Sequence, residues 1–568
     1  MTASQSHRGT ASVGFVAACG FAHAILMTLV FPPLDVWWLV FIAASPLAAA
    51  AVAARRFRVA LPCLLLPMIG SWLWHQWWVT EISAAGIVPM AIYLALWTPL
   101  IAWVIRRLAR SRTFGGLPLA LIVPVAWTGI EFLRSVLVFD GYPWYLLGQP
   151  LIGWLPLAQP ADIGGINGLA ILPAATGGLL ADVLLGRGTP SIRRTAGITT
   201  ASLALIWTGY GLVRVQPAGT GSVGPAVLAI QTVLPQSNKV AWSPRDQWDD
   251  TVGFARQTLD AADSIREGGG RIDVIAWPET MLPGIGIEPA SIAVMEEAGW
   301  WPGDRFSELA MELQAATRVP LLLGSPSFEG LRQETSADGP ALAWDRRFNS
   351  VYLLDEAGPA AATRYDKVFL TPFGERMPYI SSWPWLEQQM LDIGARGMQF
   401  DLDAANEPVR LVLEWVRPTD GVTMSTGIGT PICFEDTVPS VCRELVWEDG
   451  RKKAPVLLNA SNDGWFGPYP GPRSTHLQLA RFRSIENRVP MVRAVNTGRS
   501  GWIDSSGRLR AAAPALVPDA ILAETELDDR RPPFATLGEG PIWLLTLACL
   551  LMLVWTGLDS RRTIPENS

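Results

Sequence analysis

The sequence predicts a polytopic α-helical membrane domain joined to a soluble α/β domain, and three observations carry that prediction. The chain has 568 residues, more than one ordinary core holds, so at least two domains are expected. Only 17% of the residues are charged and the mean hydropathy is +0.25, unlike a typical soluble enzyme. There are 26 Trp against 8 Tyr, and many of the Trp lie near the ends of apolar runs, as membrane-interface residues do.

Residues 1–215 read as the membrane domain. Apolar runs close to the bilayer-spanning length of about 20 residues occur near 12–31, 34–53, 59–79, 85–105, 116–136, 161–186 and 195–213. Any one of them alone would pass for a buried core helix, but no soluble core needs so many in succession. The first, preceded by His7 and Arg8, has the look of a signal peptide; the spans that follow at once make it a retained anchor.

The loops predict orientation. Arg55, Arg56 and Arg58 follow the second run. Arg106, Arg107, Arg110 and Arg112 follow the fourth, and Arg187, Arg193 and Arg194 the sixth. Loops after the odd runs lack such clusters, so the N-terminus and the even loops are expected in the cytoplasm. Residues 216–538 then fall on the periplasmic side. In the C-terminal segment, 539–568, a last run (542–558) returns and ends at Arg561 and Arg562. Glu131 and Arg134, at the end of the fifth run, read either as an ion pair one helical turn apart or as part of a substrate path.

Residues 216–538 read as the α/β domain. Short β-rich runs at 226–231, 272–277, 320–324, 350–354, 409–413, 454–459 and 491–495 alternate with helical stretches at 247–266, 304–316 and 476–487. The strands are apolar on both faces, as in a sheet covered by helices. The polar stretches 333–340 and 401–408 read as loop-like insertions. A net charge of -6 gives no basic surface for nucleic acid. Four His and five Cys, with no HExxH or CxxC, point away from a catalytic metal, and no cofactor is called for. A Cys433–Cys442 disulfide is possible by position, without a disulfide framework around it.

Three segments of this domain carry chemistry. A β-leaning run, 422–432, ends at Cys433, with Phe434, Glu435 and Asp436 next and a helix-like segment at 438–448. A thiol at such a turn has free backbone N–H groups after it, able to hold a developing oxyanion. A lone Cys after an apolar strand is more often an inert buried hydrophobe. A second strand runs into Trp277 and Pro278 and stops at Glu279; proline ends the ladder there. In the third, Lys367 precedes a Pro/Gly turn that holds Glu375. Separately, Glu279 reads as a helix N-terminal acid and Lys367 as a solvated cation. Together with Cys433 they supply a base, a cation and a nucleophile.

These three segments resemble the Glu-Lys-Cys motifs of the nitrilase (carbon–nitrogen hydrolase) superfamily. With membrane runs on both sides, the chain is similar throughout to the apolipoprotein N-acyltransferase family. Gly141, Tyr142, Pro143 and Trp144, the segment 234–237, the segment 459–467, and His476 through Asn496 match that family as well. The sequence departs from it at Phe434, where the family usually has Tyr, and in a longer loop at 238–242. Residues 404–423 also read as an insertion.

The resemblance implies an αββα sandwich and a ping-pong acyl transfer. Cys433 would attack the ester of a phospholipid acyl donor, with Glu279 as base. Lys367 and a backbone N–H after Cys433 would stabilise the oxyanion. The acyl chain would pass to the α-amine of a diacylated apolipoprotein. Supporting roles fall to Glu375 and Glu435, which would orient Lys367 and tune Glu279, and to Phe434. Trp242, Gly141, Tyr142, Pro143 and Trp144 are expected to bind substrate. The alternative is a membrane-tethered nitrilase-like amidase acting on a small amide. A transport or scaffold protein with an inactive nitrilase fold would instead show a broken triad, and all three residues are present.

Overall fold

The computed structural model describes residues 12–235, 242–303, 305–336, 339–383, 385 and 402–561. The chain divides into two compact units: Met1–Arg214 with Pro470–Thr475 and Glu539–Ser568, and Val215–Tyr469 with His476–Gly538.

The first unit is helical: α1 (Val13–Leu29), α2 (Val40–Ala53), α3 (Phe57–His75), α4 (Ile87–Ala109), α5 (Leu119–Val136), α6 (Leu155–Ala158), α7 (Ala161–Gly168), α8 (Ile171–Leu184) and α9 (Pro190–Arg214), with a C-terminal helix at Gly540–Arg561. Among the described residues, five helices are long and apolar enough to cross a membrane: α3, α4, α5, α9 and Gly540–Asp559. The pair α7 and α8 is bent by 58° and makes a sixth if taken as one broken span. The first two of the eight expected runs form shorter apolar helices, Val13–Leu29 and Trp37–Ala53, with Pro32 and Pro33 in the turn between them. The sixth breaks near Gly165, whose φ of 66° no helix accommodates.

Glu131 and Arg134 are buried in α5 and both hold the segment that follows it. Glu131 Oε1 accepts from Trp127 Nε1 (3.1 Å) and from the backbone N–H of Leu147 (3.0 Å). Arg134 Nη2 donates to the carbonyl of Trp144 (3.0 Å).

The second unit begins with β1 (Ser222–Gln231), β2 (Val274–Ala276) and β3 (Leu321–Glu329), then the hairpin β4 (Arg332–Ser336) and β5 (Gly339–Ala343), then β6 (Arg346–Leu354) and β7 (Thr363–Asp366). Strands β8 (Leu411–Val416) and β9 (Thr423–Gly429) follow, a small ribbon β10 (Trp447–Glu448) and β11 (Arg451–Lys452), then β12 (Val456–Asn462), β13 (Met491–Asn496), β14 (Gly501–Ile503), β15 (Leu509–Ala512) and β16 (Asp519–Leu527). Two six-stranded sheets result, in the orders β16-β1-β2-β3-β6-β7 and β15-β14-β13-β12-β9-β8. Every residue of β12 is buried, as expected for a strand covered on both faces.

The sheets meet where β1 packs on β13. Helices α10 (Pro244–Glu267), α11 (Pro289–Ala298) and α12 (Arg305–Thr317) follow β1 and β2. Phe254 and Ala262 of α10 and Phe306 and Leu313 of α12 close a core over Leu228, Ile275 and Leu321 of the first sheet. Helix α13 (Pro439–Val446) packs on β9 of the second sheet. The layers are helix, sheet, sheet, helix, so the αββα expectation holds.

The 333–340 stretch is not all loop: residues 333–336 lie in β4 and 339–340 in β5, which pair antiparallel, and 337–338 lie outside the described residues. Residues 332–335 are exposed, so hydropathy shows no buried stripe there. Residues 404–423 contain β8, the edge strand paired antiparallel with β9. Cys433 and Cys442 are free thiols, which removes the disulfide; the Cys442 thiol instead lies 3.6 Å from the carbonyl of Glu435.

Candidate active site

Glu279, Lys367 and Cys433 come from three segments on two sheets. Glu279 follows β2, and the strand entering it is fixed by Trp277, whose Nε1 donates to Thr258 Oγ1 of α10 (3.0 Å). The turn at Glu279 lies flat against β3. A side chain at Gly324 would place its Cβ 2.8 Å from Glu279 Cα, so only glycine fits there. Lys367 follows β7, and its backbone N–H donates to the carbonyl of Asn349 on β6 (2.9 Å). Cys433 opens a 3-10 helix (Cys433–Thr437) in the left-handed region, φ 49°. That strained turn lifts the thiol out of line with the strand before it.

The cations and carboxylates form one buried network. Lys367 Nζ stands 2.7 Å from Glu375 Oε2 and 3.9 Å from Glu279 Oε1. Asn349 Nδ2 donates to Glu279 Oε1 (2.7 Å) and to Glu375 Oε1 (3.1 Å), tying the two carboxylates together. Glu375 Oε2 also accepts from the backbone N–H of Thr371 (2.8 Å). Glu279 Oε2 is buried and has no hydrogen-bond partner among the described residues. Burial works against the Lys367 charge, but Glu375 and Glu279 more than offset it and hold the ammonium well above its ordinary pKa. Burial likewise opposes ionisation of Glu375, and Lys367 outweighs it, so that pKa falls.

The thiol has the opposite balance. Burial raises the Cys433 pKa, the Glu279 charge adds to the rise, and Lys367 opposes it. Cys433 is therefore a protonated, half-buried thiol beside the Glu279 carboxylate. Such a thiol needs a base at the moment of attack.

Glu435 interacts with Lys367 through charge, and its hydrogen bonds among the described residues go to the chain on either side of the site. Its Oε1 accepts from the N–H groups of Val368 (2.8 Å) and Phe369 (2.9 Å), and its Oε2 from Tyr365 (2.9 Å) and the N–H of Ile432 (2.7 Å). It thereby pins the chain after Lys367 to the residue before Cys433. Burial pushes its pKa up to about 7, against Lys367 and these donors. Phe434 stacks on Phe369 of that chain, ring centroids 6.1 Å apart.

A second buried cluster stands behind the nucleophile's turn. His476 Nε2 contacts Asp436 Oδ1 (2.8 Å) and its Nδ1 contacts Asp463 Oδ1 (2.9 Å). Arg493 Nε lies 3.2 Å from Asp436 Oδ2 and donates to Asn459 Oδ1 (3.1 Å). Burial disfavours the imidazolium, but the two aspartates overcome it and raise the His476 pKa to about 9.

Trp242 is not brought to this cluster. Its Nε1 donates to Asp250 (2.9 Å), and it packs against the core under α10, with no hydrogen bond or ring contact to Glu279, Lys367 or Cys433. Gly141, Tyr142, Pro143 and Trp144 belong to the other unit. There Gly141 adopts φ 91° and Tyr142 Oη accepts from Gln76 Nε2 (2.9 Å). Sequence reasoning passed over Asn349, although a polar Asn349–Ser350 pair between Phe348 and the apolar run 351–354 was a visible signal. Tyr365 and Thr371 carried no such signal.

A carboxylate, a buried ammonium and a thiol thus meet on two sheets of the kind found in the carbon–nitrogen hydrolase class. Residues 234–532 match the family model described as "Carbon-nitrogen hydrolase", and residues 23–179 match "Apolipoprotein N-acyltransferase N-terminal domain". The Apolipoprotein N-acyltransferase of Geobacter metallireducens is 29% identical over 91% of this chain and 91% of its own. That of Bordetella bronchiseptica is 30% identical over 95% of each chain. An amidase from the nitrilase superfamily of Nesterenkonia AN1, a solved structure, is 16% identical with a TM-score of 0.35, covering 57% of this chain and 100% of its own. The chain belongs to the apolipoprotein N-acyltransferase family, a multi-pass bacterial membrane family.

Proposed function

We propose that this chain moves an acyl chain from a phospholipid, through a thioester on Cys433, to the α-amine of the N-terminal diacylglyceryl-cysteine of lipoproteins. The observation that carries the reading is the uncommitted Glu279 oxygen in a buried pocket with a protonated thiol and a charged lysine.

Glu279 Oε2 accepts the thiol proton as Cys433 Sγ attacks the ester carbonyl. The tetrahedral oxyanion is held by the Lys367 ammonium and the N–H of Phe434, at the start of the 3-10 helix where donors lack intrahelical acceptors. The ester C–O bond breaks, Glu279 returns its proton to the leaving oxygen, and a lysophospholipid departs. The lipoprotein amine then attacks the thioester and gives its proton to Glu279. The C–S bond breaks, the amide forms, and the thiolate recovers the proton. Glu375 and Asn349 hold Lys367 and Glu279 at fixed separation. Glu435 keeps the lysine and cysteine segments in register.

Both substrates are lipids, and extracting them costs about 0.8 kcal/mol per CH₂, which suits a site carried by a membrane protein. The arginine pattern supports a periplasmic catalytic unit with cytoplasmic termini. Trp242 and the segment from Gly141 to Trp144 serve substrate entry in this reading. The test mixes the purified protein with phospholipid and looks by mass spectrometry for one acyl adduct on Cys433. It is expected in the wild type and absent from Cys433→Ala; acylation of the Ala variant, or an adduct only with small amides, overturns the reading. A topology reporter fused after Ser237 and active only in the cytoplasm would reject the orientation.

A further inference from the structure

The four arginines at the C-terminal end of α4, Arg106, Arg107, Arg110 and Arg112, do two different things. Arg106 Nη2 donates to the carbonyl of Arg55 (3.1 Å), and Arg110 Nη2 donates to those of Val52 and Ala54 (2.8 Å each). Both cap the C-terminal end of α2, whose last carbonyls lack helical partners. Arg107 and Arg112 are exposed and make no hydrogen bond or ion pair among the described residues. All four line one cleft of about 350 Å³, together with Trp103 of α4 and Asp559 of the C-terminal helix. Its single carboxylate is already engaged by Thr113 Oγ1 (2.6 Å).

Below this cleft, Leu96, Leu100 and Trp103 are exposed on α4. With Arg107 they are spaced by four, three and four residues, so they share one helix face. An apolar stripe thus leads up a membrane helix to unpaired cations in a cleft. Setting the orientation of a membrane helix requires positive charge in the loop, but it does not require guanidiniums to wall a cleft above an apolar stripe.

We infer that this cleft binds the phosphate headgroup of an anionic phospholipid, with an acyl chain lying along Leu96, Leu100 and Trp103. The recognised chemistry is a phosphodiester with no cation of its own, since a zwitterionic headgroup would bring a positive charge against four guanidiniums. The site lies wholly within the helical unit and does not depend on the acyl-transfer reading.

The experiment uses the full chain in detergent and native mass spectrometry. Retention of phosphatidylglycerol is compared with that of phosphatidylcholine of the same chains. The wild type should hold phosphatidylglycerol preferentially, and more weakly as salt rises. The double variant Arg107→Gln/Arg112→Gln should weaken that retention roughly thirty-fold, about 2 kcal/mol at 1.4 kcal/mol per factor of ten. Arg56→Gln/Arg58→Gln, at the start of α3 and not lining the cleft, should leave it unchanged. Equal loss in both pairs would reduce the effect to general loop charge and overturn the site. So would retention indifferent to headgroup or salt, and displacement by millimolar inorganic phosphate would make the ligand a free anion instead of a lipid.

Discussion

Two buried charged clusters lie within the catalytic unit, and they differ in access. In the Asp436–His476–Asp463–Arg493 cluster both ring nitrogens meet a carboxylate, and no member is more than 1% exposed. Among the described residues Asp436 Oδ2 and Arg493 Nη1 and Nη2 have no hydrogen-bond partner, and neither has Glu279 Oε2 of the Glu279–Asn349–Glu375–Lys367 cluster. The second cluster, however, leaves the side chains of Glu279 and Glu375 7% and 14% exposed, and the neighbouring thiol is half-buried. A substrate can reach only a cluster with an open side, whereas a fully enclosed charged network holds shape. In the proposed function that difference gives proton transfer to Glu279 and shape-keeping to His476.

The largest effects should come from the open cluster. Glu279→Gln keeps the Asn349 contact site but removes the base. Acyl-enzyme formation should fall by roughly 10²–10⁴, with the unfolding temperature little changed. Cys433→Ala should abolish the adduct altogether. A Gln variant that still acylates at the normal rate would move the base elsewhere.

Lys367→Met sits between the two clusters in kind. It removes an oxyanion partner, for a loss of roughly 10²–10³ in rate. It also strands two buried carboxylates, for about 3–5 kcal/mol of stability. Denaturant unfolding beside acylation kinetics separates the two losses. A rate defect without a stability defect would mean that Glu375 is not held charged by the lysine.

His476→Asn should cost mainly stability. The folded-state pKa of about 9 lies above the ordinary 6.5, so its contribution is complete below about pH 6.5 and is lost as pH rises through about 9. That window is worth ~3 kcal/mol. Wild-type thermal stability should therefore decline between pH 7 and 10, and the variant should lack most of that slope. An unchanged slope would show that the imidazolium is not part of the closed cluster.

Trp242→Ala tests a residue outside both clusters. If it serves the acceptor, acyl-Cys433 should form normally from phospholipid and discharge to a diacylated peptide roughly ten-fold more slowly. Normal discharge would leave Trp242 as core packing against α10. The smallest effect belongs to Cys442→Ala, a buried thiol on α13, at about 1 kcal/mol of stability and no change in acylation. Parity with Cys433→Ala would contradict the separation of the two cysteines.

The amino-acid sequence alone determined the division into apolar and α/β parts, the strands leading to Glu279 and Cys433, and the presence of base, cation and thiol. Each is local, because period and turn residues report how one segment is buried. Only the tertiary structure decided that Asn349 would bridge Glu279 to Glu375 and that Glu435 would accept from the backbone N–H groups of Val368, Phe369 and Ile432. It also decided that 333–336 would pair as a strand with β5 and that the sixth apolar run would bend. Those outcomes depend on which polar atoms meet across strands distant in the chain. A buried donor takes whichever acceptor the packing of two sheets brings to it, and no local pattern encodes that choice.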